Sequence, residues 1–216
     1  MTEYLIPTSR AETELVEKRS RFIGQVWPVE SEEEARARIE ETKKKHYDAR
    51  HNCWCYRIQE GGVERYSDDG EPQGTAGQPM LNVFQREGVT NVCCVVTRYF
   101  GGVLLGAGGL VRAYTQSAKD ALDAAGVSVV RRWVRHLVPC SDSLYERLRQ
   151  ETERFGAVIQ DTEYGADILL TVLVPEERSQ EYAARVLDFT AGIVETLVEG
   201  EVFQPVPIRP PVQRVE

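Results

Sequence analysis

Three groups of residues in this sequence have types and spacings that could do chemistry. In "SDDGEP", Asp68, Asp69 and Glu71 lie within four residues, and clustered carboxylates bind magnesium or perform acid–base work. The same segment has turn chemistry, because Asp-Gly favours a tight turn and Pro72 stiffens its exit. It lacks the alternating oxygen spacing of a calcium loop and a positioned histidine. A turn that contacts a partner is therefore the leading reading, and no metal is expected. In "HNCWCYRI", a period of two sends His51, Cys53 and Cys55 to one strand face and Trp54, Tyr56 and Ile58 to the other. Structural zinc sites pair cysteines as C-x₂-C with a second pair elsewhere, which this chain lacks, so these are read as half-apolar strand residues. The histidines are His46, His51 and His136, and no triad can be built from them; no catalytic residue and no cofactor are assigned.

The third group is "RYFGGVLLGAGGLVRAY", Arg98 to Tyr114, with five glycines after the apolar run "NVCCVVT". A phosphate loop of the G-x-x-x-x-G-K-[ST] type is excluded, since no lysine follows until Lys119. The dinucleotide fingerprint fails as well, because "GAGGLV" lacks the third glycine and "AAGVSVVRR" lacks the ribose-binding acid. What remains is a turn shaped by Gly101, Gly102, Gly106, Gly108 and Gly109, whose free N–H groups could form an anion site with Arg98 and Arg112. Where φ at Gly108 is positive, Gly108→Ala should cost about 1 kcal/mol or more. Tyr99, Phe100 and Tyr114 flank the turn as rings on which unpaired bases could stack, although Phe100 and Tyr114 suit a core equally well. Asp68, Asp69 and Glu71 could instead pair with Arg98 or Arg112 and order the loop.

These groups need elements to hold them. "EYLIPT", "ETELVEK" and "RFIGQVWPV" read as strands, and Ser31 with Glu34 forms a capping box for the helix "EEEARARIEETKKKHY". After the turn-rich "YSDDGEPQG", a short helix near "AGQPMLNVFQ" has Thr75 and Gln78 as a capping pair. "NVCCVV" is apolar throughout and should be covered on both faces. A helix from about Gly108 to Ala125 carries Leu110, Tyr114, Ala118, Ala121 and Ala125 on one stripe, and Arg112, Gln116, Lys119 and Asp123 on an outward one. From 134 the order is strand, helix, two strands joined at Tyr164–Ala166, helix, strand: the βαββαβ of a ferredoxin-like domain. The fold class is α+β in two domains, 1–133 and 134–205, with 206–216 as an extended Pro-rich tail.

At 216 residues and 42% hydrophobic content the chain can bury a real core. It has neither a signal-peptide h-region nor an 18-residue apolar run, so a cytoplasmic protein without membrane contact is expected. Five cysteines, two of them vicinal, point to free thiols. The net charge of −8 hides an asymmetry: 18 basic against 19 acidic residues through 133, and 8 against 15 after it. Contact with a polyanion therefore belongs to the first part, where "KKKHYDARH" is the densest basic cluster.

"YSDDGEPQGTAGQP" followed by "TRYFGGVLLGAGGLVRAY", with "SRFIG" and "ARHNCWCYR" upstream, resembles the core signature of the IMPACT family of translation-associated proteins, in its bacterial form. The likeness covers roughly residues 15–130. It implies an N-terminal ribosomal-protein-like domain similar to elongation factor G domain IV and a C-terminal ferredoxin-like domain similar to its domain V. It also implies a regulatory factor that binds RNA or ribosomal components; the anion site read at the glycine turn would equally suit an acidic protein partner. Two other functions stay open: an enzyme or binding protein for a small phosphorylated or nucleotide-like ligand, held between "DDGEP" and the glycine loop, and a protein-interaction module.

Overall fold

The computed structural model describes residues 3–212. Strands β1 (Tyr4–Pro7), β2 (Ala11–Glu17) and β3 (Ser20–Pro28) open the chain. The β2–β3 hairpin turns on Lys18 and Arg19, both at positive φ (45° and 66°), as a two-residue hairpin connection requires. Helix α1 (Glu32–Lys45) starts at Ser31, whose Oγ accepts from the Glu34 amide; the Glu34 carboxylate accepts from the Glu30 amide, one residue before the usual capping-box partner. Then come β4 (His51–Ile58), β5 (Val63–Ser67), α2 (Gly77–Glu87), β6 (Val92–Tyr99) and α3 (Ala107–Ala125).

Five strands form an antiparallel sheet in the order β2-β3-β6-β4-β5, so the apolar β6 is central and buried from Val92 to Arg98. One core, including Phe22, Met80, Phe84 and Leu122, fills the face under α2 and α3. Trp27, Ile39, Tyr56 and Val95 fill the face under α1. The period of two along β4 is realised across these cores, with Cys53 and Cys55 in the first and Tyr56 and Ile58 in the second. All five cysteines are buried free thiols.

Strand β7 (Val127–Cys140) follows Gly126 directly; its first four residues pair β1, and Trp133–Cys140 pair β9. The expected boundary at 133 thus falls inside a paired strand. The chain continues through α4 (Asp142–Phe155), β8 (Val158–Tyr164), β9 (Ile168–Pro175), α5 (Ser179–Phe189) and β10 (Leu197–Arg209). The order β10-β7-β9-β8 with two intervening helices is ferredoxin-like, and its core holds Val138, Leu148, Leu170 and Tyr182.

The chain divides into two compact units, Tyr4–Val130 with the residues from Pro205 on, and Arg131–Gln204 with residue 3. The segment 206–216, read as an extended Pro-rich tail, is in part a strand. Residues 206–209 belong to β10, Val206 is buried, Arg209 pairs with Glu87 at 2.8 Å and the Val212 amide donates to Asp123 O. Residues 213–216 of that tail, and residues 1 and 2, lie outside the described residues. Among the described residues no helix is long and apolar enough to cross a membrane.

Candidate functional site

The "SDDGEP" turn divides its carboxylates between structure and site. Asp68 accepts from the amides of Gly74, Ala76 and Gly77 at 2.8–3.1 Å, so it caps α2 across a loop. This corrects the Thr75–Gln78 capping pair: Thr75 bonds back to Pro72 O, and Gln78 bonds Asn82. Asp69 accepts from the Asn52 amide and lies 3.6 Å from Lys43. With both aspartates spent on the chain's own groups, the turn offers no carboxylate cluster, and among the described residues no group of His, Cys, Asp and Glu could hold a metal ion.

Glu71 goes inward, with only 3% of its side chain exposed. Its Oε1 accepts from Arg98 Nη1 and from the Tyr114 hydroxyl, each at 2.7 Å. Burial pushes the Tyr114 phenol well above its ordinary range, which keeps its proton on and its donor role fixed. Arg98 is not the open cation expected at an anion site. It lies 7% exposed between the rings of Phe22 and Phe100, with Nη2 also on Ser20 Oγ. Three segments distant in sequence thus meet on one carboxylate, and the pairing of Glu71 with Arg98 orders the glycine loop. Cys53, next to this group, donates to Asp68 O, and burial pushes its thiol up as well, which leaves no thiolate for nucleophilic work.

Above the pair opens a cleft of about 540 Å³ between the turn and the glycine loop. Glu71 and Arg98 line it together with His51, Arg50 and the N-terminus of α3, and Phe100 and Leu104 supply apolar wall. His51 Nδ1 lies 2.8 Å from Asp69 O; a carbonyl only accepts, so Nδ1 carries the proton. Its Nε2 stands 3.8 Å from Glu71 Oε2, and neither atom has a hydrogen-bond partner. No side chain caps α3 at Gly106, so its first-turn amides and the positive end of its dipole face this space. Since Glu71 and Arg98 neutralise one another, exposed Arg50 leaves the cleft cationic.

The glycines divide in the same way. Gly106 has φ 76°, ψ 166°, a conformation closed to other residues. Gly101 packs on the β2–β3 turn so closely that a Cβ would fall 2.1 Å from the Arg19 carbonyl. Gly102 also has positive φ, whereas Gly108 and Gly109 lie in the first turn of α3, Gly108 without positive φ; the expected cost of replacing Gly108 is corrected accordingly.

The remaining candidates lie apart from the cleft. Arg112 and Gly109 line a separate depression of about 280 Å³ with Lys18 and Glu17. Tyr99 bonds His46 and Asp48, and Arg21 lies over its ring. Lys119 does not face outward alone; it pairs with Glu87 and Asp123. Sequence reasoning missed Arg50, Leu104 and Ser20. Arg50 had a signal, since it directly precedes His51 in the basic run.

A family model for the Impact N-terminal domain matches residues 18–122, and one for a domain of unknown function (DUF1949) matches 143–192. The chain is 35% identical over 201 residues to the IMPACT family member YvyE of Bacillus subtilis, covering 92% of each. It is 33% identical over 204 residues to the IMPACT family member YigZ of Escherichia coli, covering 93% of this chain and 100% of that one. A crystal structure of a hypothetical protein, 32% identical, superposes with a TM-score of 0.58 over 91% of this chain and 97% of the other.

Proposed function

Because the chain belongs to the IMPACT family, we propose that it is a translation-associated regulatory factor whose first unit binds RNA or a ribosomal component with the end built by the glycine loop. The observation that carries this reading is an exposed apolar tip beside cations that have no ion-pair partner. Phe100 and Leu104 are 41% and 80% exposed. Lys18 and Arg19 sit on the turn that Gly101 packs against, and Arg50 and Arg112 line the clefts on either side; all four are exposed and make no ion pair among the described residues. Elsewhere on this unit Arg21, Arg36, Arg38 and Arg57 are tied to carboxylates, while the exposed Lys44, Lys45, Arg65 and Arg86 also make no ion pair among the described residues, so it is the neighbouring apolar tip that distinguishes this end. Unpaired cations around an exposed ring, Phe100, suit a single-stranded backbone with stackable bases. Four phosphate contacts would give a slope of log affinity against log salt of about −3. Titration of single-stranded RNA at several salt concentrations tests the reading, and binding insensitive to salt would contradict it.

The cleft itself favours a second reading, a binding site for a small phosphorylated or nucleotide-like ligand. Its volume is that of an ordinary small-molecule site, with apolar walls and a few convergent polar groups. Such a ligand should raise the melting temperature without any polymer present. No residue is assigned a catalytic role.

A further inference from the structure

We propose that the cleft takes a single guanine nucleotide, its base edge on Glu71 and His51 and its phosphate toward Arg50 and the α3 N-terminus. The argument starts from unused hydrogen-bonding capacity. Glu71 Oε1 is saturated by Arg98 and Tyr114, while Oε2 has no donor. His51 Nδ1 is held by Asp69 O, so in the neutral ring Nε2 presents a lone pair. Two fixed acceptors thus stand 3.8 Å apart, and the carboxylate is almost wholly buried. Both residues line the cleft, so a ligand that supplies two donors at this spacing meets both acceptors at once.

Among the common bases, guanine alone places two adjacent donors, N1–H and N2–H₂, on its Watson–Crick edge. Adenine and cytosine each set an acceptor beside their amino group, and uracil flanks its N–H with two carbonyls. Each would put an acceptor against an acceptor here. The wall of Phe100, Leu104 and Pro72 offers apolar surface for a flat ring. The open end supplies what a phosphate needs: the Arg50 guanidinium and α3 amides that no side chain caps.

The inference rests on the RNA reading for the source of the nucleotide, a guanosine in an unpaired stretch, and the same chemistry could be met by a free guanosine monophosphate. Fluorescence anisotropy with the full chain and labelled RNA heptamers tests both, using AAAGAAA, AAAAAAA and a heptamer with inosine at the centre, which keeps N1–H and lacks the 2-amino group. Guanine should bind roughly tenfold or more tighter than adenine, with inosine between them. In His51→Phe the guanine advantage should shrink toward one while the adenine heptamer binds as before. Equal affinity of the guanine and adenine heptamers for the wild type overturns the guanine site and leaves RNA binding standing. Binding of guanosine monophosphate over adenosine monophosphate, with no heptamer bound, supports the site and sinks its RNA source. No binding of any of these overturns both. An undiminished guanine preference in a folded His51→Phe variant overturns the placement in this cleft. The wild-type series alters only the ligand, so it decides the base preference even if that variant fails to fold.

Discussion

Gly106→Ala and Gly108→Ala, two residues apart, should move stability in opposite directions. At Gly106 nothing lies within 4 Å of an added Cβ, so the whole penalty is backbone. Its φ of 76° with ψ of 166° is essentially confined to glycine, and holding alanine there costs about 1–3 kcal/mol. Gly108 lies inside α3, where alanine gains up to about 0.5–1 kcal/mol in helix propensity. The only neighbour its Cβ would meet is Arg112 Nη1 at 3.4 Å, the movable end of an exposed side chain. The two variants should therefore differ by about 1.5–4 kcal/mol. Native-state hydrogen exchange of the β6 amides measures this, because they lie at the centre of the first unit's sheet and open only with it. If Gly108→Ala speeds that exchange as much as Gly106→Ala, the reasoning from loop geometry is refuted.

Asp68→Ala removes the acceptor of three amides at the start of α2 and should cost about 2 kcal/mol, read as a lower urea midpoint; an unchanged midpoint would show that water replaces the cap freely. Glu71→Met should cost about 3–5 kcal/mol by leaving Arg98 buried and uncompensated, and Glu71→Met with Arg98→Met should recover much of it; a double variant as unstable as the single would contradict a pairwise origin. His136 lies between Thr196 Oγ1 and Ser179 Oγ, and burial lowers its pKa. Its unfolded form binds the proton more readily, so stability is full above about 6.5 and falls as pH drops through that value toward the lower folded pKa. Unfolding of the second unit followed through Trp133 should show this loss between pH 7.5 and 5.5, and a flat profile would mean that His136 accepts its proton in place.

The elements were legible where periodicity was strong. The alternation in "HNCWCYRI", the unbroken apolar run of β6 and the small-residue stripe of α3 each led to the observed packing, because burial of one face or two is written directly in residue type. The βαββαβ order was readable for the same reason. What the sequence hid were contacts that close over long distances. Asp68 caps a helix nine residues on, and local capping rules pointed to Thr75 instead. The sequence left Arg98 open between an anion site and a pair with one of the turn's carboxylates, and only the meeting of β6 with the turn, 27 residues earlier, selects Glu71. Strand β10 continues through Pro205 and Pro207, where composition pointed only to an extended Pro-rich tail. The glycines of the loop look alike in sequence, and only backbone geometry separates Gly106 from Gly108.

Ribosome co-sedimentation of the wild type beside Arg50→Glu/Arg112→Glu tests the central claim most directly. Both arginines are exposed and make no ion pair among the described residues, so the double variant should keep the wild-type exchange rates of β6. It reverses two charges on either side of the exposed Phe100 and Leu104. The wild type should pellet with ribosomes at low salt and be released as salt rises, while the folded double variant stays in the supernatant throughout. A folded double variant that pellets with ribosomes as the wild type does, at the same salt, would contradict the account.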